Sequence, residues 1–357
     1  MKFFRRHRQL PIGLIAILLA VLTGGCISVK QEGSAPRLLK SENATQDDLA
    51  TEVNRFARVR SMRAKMYLKF EDNSFAEFGS KEVYRSADGD VIVQRPAMIL
   101  MKVQVPVIRT DVAQMSSDGE TFRVAVLQDG GSGKYKKFVK GTNNADYSGL
   151  QRSLSTGNEN GDKRTRESVN AFANLRPQHF TDALLVRPTD AEHVYTVSTT
   201  FVLEEDMSVP QKSPLRKVTR GYYLFDEYLP ANGRLLITRR FWFDRVGGIR
   251  LARQQIFDAA GEIDSDITYG KEGKLSDSDG FTNLPLEIIV TRPKERYAMR
   301  LTYQSPEDVT IDREFPASAF VLKNSWGLDE VDLDRMLQDA LPKPVNKSGG
   351  ATTPRNQ

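Results

Sequence analysis

One cysteine, three histidines and two tryptophans are all of these types that 357 residues contain. The lone cysteine, Cys26, excludes an intramolecular disulfide and a cysteine-rich zinc site. His179 and His193 stand far from the N-terminus with no metal-ligand spacing around them, and no Gly-x-Ser-x-Gly turn presents a nucleophile. Enzyme, metal ion and cofactor are therefore not expected. Charge of one sign is also scarce. The formal net charge is +5, but residues 1–25 hold four of the 51 basic residues (Lys2, Arg5, Arg6, Arg8) and none of the 46 acidic ones. The remainder carries +1, which gives no reason to expect a nucleic-acid partner. No segment beyond residue 25 is apolar and long enough to cross a bilayer. Gly130-Gly131-Ser132-Gly133-Lys134 lacks the spacing and the following helix of a phosphate loop, and reads as a hairpin turn. The acids Asp88, Asp118, Asp129 and Asp258 lie in turn-like sequences, where turn geometry accounts for them.

The N-terminus has a strong local pattern. A basic start, Lys2 to Arg8, precedes an apolar run from Pro11 to Leu22 and then Thr23-Gly24-Gly25-Cys26. As a helix the run spans roughly 18 Å, too short for a hydrocarbon core of about 30 Å and the size of a signal segment. Small residues immediately before the cysteine are the layout of a bacterial lipoprotein signal, with lipid attached at Cys26. Thr23 stands where such signals usually carry Leu. Residues 26–44, mixed and without apolar period, read as a flexible tether, and 342–357 as a disordered tail.

Between them, residues 45–341 read as one domain. Thr45 with Asp48 three residues on predicts a helix start, and Leu49, Val53 and Phe56 give that helix an apolar face over 46–58. The period then changes to two: Met62, Ala64, Met66, Leu68 and Phe70 alternate with Arg63, Lys65, Tyr67 and Lys69. Strands follow at short intervals, with turns expected at Asp88-Gly89, Arg95-Pro96, Asp118-Gly119, Asn232-Gly233 and Gly247-Gly248. Polar insertions are read near 141–165 and 204–216, a second helix over 166–185 and a short amphipathic helix over 328–341. Many antiparallel strands with few helices predict a mainly β (α+β) domain, a large curved antiparallel sheet or incomplete β-barrel whose helices cover the concave face.

Several stretches resemble the LolA/LolB family of lipoprotein carriers and receptors. They are Leu49 to Phe70 through the junction Val59-Arg60-Ser61-Met62-Arg63-Ala64, the pair Arg95-Pro96, the hairpin Ser117-Asp118-Gly119-Glu120-Thr121-Phe122, and a C-terminal series including Tyr269, Leu284-Pro285-Leu286-Glu287-Ile288, Tyr297-Ala298-Met299-Arg300-Leu301 and Phe320. The resemblance implies an open barrel with a helical lid over an apolar cavity for acyl chains, with Arg95 as lid latch. Much of 141–216 is extra relative to that family.

The expected function is a lipid-anchored, non-enzymatic protein of the cell envelope, at the outer membrane and facing the periplasm, that binds lipid or lipoprotein acyl chains and assists their transfer. Its expected partners are the membrane, acyl chains or lipoproteins, and other envelope proteins. Expected cavity-lining residues are Leu49, Val53, Phe56, Met62, Met66, Phe70, Ile99, Met101 and Val103. The alternative is a scaffold or stress-sensing lipoprotein that uses the same fold to recognise proteins. A wide apolar concavity favours the first reading, and an interior filled by side chains favours the second. Trp242 and Trp326 are expected to pack. Lys134, Lys136, Lys137 and Lys140 are expected to form a solvated face.

Overall fold

The computed structural model describes residues 36–72, 82–83, 86–106, 108–128, 133, 136–147, 150, 176–276 and 280–340. Cys26 and the signal segment, the expected helix before Arg176, most of the 141–165 insertion and the 342–357 tail lie outside them.

The chain divides into two compact units. Of the described residues, the smaller comprises 36–38 together with Leu203–Thr219. In it β1 (Arg37–Leu38) runs parallel to Val218-Thr219, and Arg37 pairs with Asp206. Arg216 ties the connecting loop together, donating to the Glu205 carboxylate at 2.8 Å and the Val209 carbonyl at 3.1 Å.

The larger unit, Leu39–Val202 with Arg220–Gln357, holds the core. Its first element is α1 (Gln46–Ala57), closed at its N-terminus by the predicted cap: Asp48 N–H donates to Thr45 Oγ1 while Thr45 N–H donates to the Asp48 carboxylate. Leu49, Val53 and Phe56 form its buried face. Strand β2 (Ser61–Asp72) follows, and the alternation holds: Met62, Ala64, Met66 and Leu68 are buried, Arg63, Lys65 and Tyr67 exposed.

β2 is central to the sheet. On one edge it pairs antiparallel with β4 (Ala87–Gln94), and the meander continues through β5 (Met98–Gln104), β6 (Asp111–Ser117), β7 (Thr121–Val126) and β8 (Phe138–Thr142). On the other edge β2 pairs with β15 (Tyr297–Tyr303), and the order runs back through β14 (Leu284–Arg292), β13 (Ile263–Gly273), β12 (Arg250–Phe257), β11 (Arg234–Asp244) and β10 (Lys217–Ala231) to β9 (Val194–Glu205). Short strands β3 (Glu82–Val83) and β16 (Thr310–Ile311) also pair with β2, and β17 (Glu330–Asp332) runs parallel to β8. Among the described residues no register joins β8 or β17 to β9, so the sheet is mainly antiparallel and unclosed, as expected. Two further α-helices are described, α2 (Gln178–Leu184) and α3 (Leu333–Ala340).

Four local expectations change. Asp88-Gly89 is not a turn but lies within β4, opposite Tyr67 and Met66. A Cβ on Gly89 would sit 2.7 Å from Leu68 Cδ1, so glycine is there to admit a neighbouring leucine. The described part of the expected tether is fixed: Glu42 N–H donates to the Arg245 carbonyl, and Arg245 returns a bond to the Glu42 carbonyl. The start of the expected 328–341 helix is β17, because Glu330–Asp332 finds a strand partner in Phe138–Lys140, nearly two hundred residues away along the chain. The 204–216 insertion begins as the end of β9 and closes with a short 3-10 turn at Pro214–Arg216.

Candidate functional site

Both α1 and α2 bury apolar side chains in one core cluster with the sheet. Leu49, Val53 and Phe56 come from α1, Phe180 and Ala183 from α2, and Leu185 and Val186 from the segment that follows α2. The expected lining residues Met62, Met66, Ile99 and Met101 are fully buried in the same cluster, while Phe70 and Val103 are half-buried at its margin. Among the described residues, side chains fill the interior beneath α1 and α2. Between Phe56, Val59, Met62, Ala183, Tyr269 and Tyr303 there remains a cavity of about 20 Å³, room for about one water. The Phe56 and Tyr269 rings lie 5.9 Å apart across it, and the Tyr303 hydroxyl donates to Met62 Sδ. Five methionines (Met62, Met66, Met101, Met115, Met299) are buried in this core. Their unbranched side chains re-pack around irregular shapes more readily than branched ones.

α2 is intrinsically weak. It has seven residues, no side-chain cap at Pro177, no acid in its first turn and no base in its last, and a helix this short is not stable alone. What holds it is a set of groups from the sheet reaching the carbonyls of the segment that leaves it. Arg95, after β4, is half-buried. Its Nε donates to the Val59 carbonyl at 3.0 Å and its Nη2 to the Val186 carbonyl at 2.7 Å, with longer bonds to the carbonyls of Ala57 and Leu185. One guanidinium thus joins the segments leaving α1 and α2. A cation is favoured there because the unpaired carbonyls at both helix ends carry partial negative charge. Burial, and then the charges of Arg187 and Arg239, push the Arg95 pKa down.

A second arginine continues the row. Arg239 on β11 is 1 % exposed and donates to the carbonyls of Arg187 at 2.8 Å and Pro188 at 3.0 Å. Its other edge makes a two-bond ion pair with Glu227 of β10, which is fully buried and also receives Thr238 Oγ1 and the Tyr195 hydroxyl. Burial opposes ionisation of Glu227, but the bonds from Arg239 and Thr238 and the Arg239 charge hold its carboxyl below the usual range. Four consecutive carbonyls, Leu185 to Pro188, are therefore held by two arginines. The Tyr269 hydroxyl adds a bond to the Ala183 carbonyl, and His179 Nδ1 lies 3.3 Å from the Tyr297 hydroxyl.

Arg95 was singled out in the sequence as a lid latch. Glu227 and Arg239 were missed, although a signal exists. Around the Asn232-Gly233 turn the two strands carry Tyr223, Phe225, Glu227 and Arg239, Phe241, Phe243 at alternate positions, and Glu227 stands opposite Arg239. Opposite charges facing each other on the apolar side of a hairpin mark a buried pair.

Beside the start of α2 lies a polar cleft of about 1050 Å³, lined among others by Tyr147, Arg176, His179, Asp182, Asp264 and Arg292. Its described lining contains no Ser, Thr or Cys to serve as nucleophile, and Arg292 is bound to Asp264 and Glu295. No group of His, Cys, Asp or Glu with metal-binding geometry occurs among the described residues, and no helix there is long and apolar enough to cross a membrane. Trp242 packs in the sheet, its Nε1–H donating to Gln255 with Arg253 over its ring, while Trp326 is 39 % exposed. Lys137 and Lys140 pair with Asp329 and Asp332, next to or within β17.

No family model matches the chain, and no curated protein matches it. Among solved structures the chain is similar to a LolA superfamily protein from Nitrosomonas europaea, at 11% identity and a TM-score of 0.39, over 78% of this chain and 99% of that one. It is also similar to an outer membrane lipoprotein-sorting protein domain from Vibrio parahaemolyticus, at 9% identity and a TM-score of 0.38, over 77% of this chain and 97% of that one.

Proposed function

We propose that the protein is a non-enzymatic envelope lipoprotein, anchored through Cys26, that takes up acyl chains between its sheet and the lid formed by α1 and α2. The observation that carries this reading is the guanidinium of Arg95, bound at once to carbonyls leaving both helices. A lid needs fastenings weaker than the core, and hydrogen bonds to carbonyls can exchange for water as it lifts. In the closed state side chains occupy the space. Lifting α2 would remove Phe180 and Ala183 from the interior and leave the buried methionines to close around a chain. The extended acyl group of a lipid or a lipoprotein fits such a surface; cargo and direction of transfer follow from its partners in the outer membrane.

Native purification of the full chain, solvent extraction and mass spectrometry test this reading. The expected result is co-purifying acyl lipid that exchanges into vesicles; protein reproducibly free of lipid and inert in exchange would overturn it. One observation favours a second reading, a protein-recognising scaffold: the filled interior. That reading predicts lipid-free protein whose α2 stays closed in the presence of lipid.

A further inference from the structure

The β10–β11 ribbon outruns its neighbour. β11 pairs with β10 over Arg234–Asp244 but with β12 only over Arg239–Asp244. Residues 234–238 therefore overhang by roughly 17 Å at 3.4 Å per residue. On the other side, β9 starts at Val194, and the hydroxyl of its second residue, Tyr195, donates to Glu227. The ribbon closes in a two-residue turn at Asn232-Gly233, with φ of 50° and 72°, the left-handed pair that hairpins of this length require.

The projecting end is apolar on both faces. Leu229 stands opposite Leu236, and Pro230 opposite Leu235. Because side chains alternate, the first pair lies on one face and the second on the other. Leu229, Leu235 and Leu236 are 38, 54 and 39 % exposed. No acid occurs from Tyr228 to Phe243, and the tip carries Arg234. A flat protein surface can cover one face of a ribbon. A medium that surrounds the tip covers both, and the apolar edge of a bilayer is such a medium. A basic residue without a neighbouring acid complements lipid phosphates.

We propose that the 229–236 hairpin inserts into the boundary between headgroups and acyl chains of a bilayer, its leucines among the first methylenes and Arg234 at the phosphates. The depth is that of an interfacial element, about 5–10 Å, and not of a span. Membrane contact through this ribbon is separate from the Cys26 anchor and from any lid movement, and stands without either.

Depth-dependent quenching tests the proposal on the full chain. In a Cys26→Ser background, Leu235→Cys carries a unique environment-sensitive fluorophore, and Ser325→Cys, also exposed, serves as control. Both are mixed with vesicles of phosphatidylcholine and phosphatidylglycerol, with and without brominated acyl chains. The expected result is several-fold stronger quenching at position 235 than at 325, reduced to the control level by Leu229→Ser with Leu236→Ser. Equal quenching at the two positions would overturn the proposal. So would a label at 235 shielded from aqueous iodide yet untouched by brominated chains, which would mark a protein contact.

Discussion

Replacing Arg95 by Leu keeps the apolar stem of the side chain and removes the guanidinium. Two of its four bonds are short, 3.0 Å to Val59 and 2.7 Å to Val186; the other two, at 3.2 and 3.4 Å, are near the limit of a useful hydrogen bond. A charged donor contributes about 1.5–3 kcal/mol per bond. Arg95 is only half-buried, so water can replace part of what is lost, and the lower figure applies. Two bonds at about 1.5 kcal/mol give about 3 kcal/mol, or roughly a hundredfold shift in the opening equilibrium of the lid. The assay is amide hydrogen exchange by mass spectrometry. Peptides covering α2 should exchange about a hundredfold faster, while peptides of β12 and β13 keep wild-type protection. Lipid uptake should accelerate in parallel, because access through the lid becomes less costly. Unchanged exchange at α2 would refute the reasoning. Faster exchange across the whole sheet would also refute it, by showing that Arg95 supports the core and not the lid.

Three further outcomes follow from the structure. Arg239→Leu leaves Glu227 buried without its partner and should destabilise the protein by about 3–5 kcal/mol; adding Glu227→Gln should recover a large part of that loss in a denaturant-melt mutant cycle. His179 is held well below its usual pKa by burial and then by Arg292 and Arg176. A depressed histidine contributes stability above its unfolded value of about 6.5 and loses it as pH falls further. Exchange at α2, corrected for intrinsic rates, should therefore quicken from pH 7 to 5, and His179→Gln should flatten that dependence; an unchanged slope would exclude His179 as its source. Gly141→Ala places a Cβ 2.6 Å from the Tyr147 hydroxyl and 3.0 Å from the Phe122 ring. It should cost about 1–3 kcal/mol, as should Gly89→Ala, whose Cβ would lie 2.7 Å from Leu68 Cδ1 and 2.9 Å from its Cγ; a thermal melt of either variant that matches the wild type would refute this.

Much of this was legible in the chain itself. The capping box at Thr45 and Asp48, the period-two run from Met62 to Leu68 and the Asn232-Gly233 turn are local patterns, and each formed as local chemistry requires. Asp88-Gly89 read as a turn because Gly after Asp is a good turn pair; it is strand because it pairs with Tyr67 and Met66 of β2, and glycine there leaves room for Leu68, facts of packing that no local pattern carries. Glu330–Asp332 read as helix for a similar reason, since its partner on β8 is remote in sequence.

By itself, then, the sequence determined the alternation of the strands, the buried face of α1, the near-neutral charge behind the N-terminal segment and the presence of an arginine next to Pro96. These depend on residues a few positions apart, whose spacing the backbone converts directly into faces. Only the tertiary structure decided that β2 would lie between β4 and β15, that Glu227 and Arg239 would be buried as a pair, and that Arg95 would meet carbonyls 90 residues away at Leu185. A backbone carbonyl is the same on every residue. Which carbonyls an arginine finds is set by where the sheet carries it, and this chain carries two arginines to the four carbonyls that follow α2.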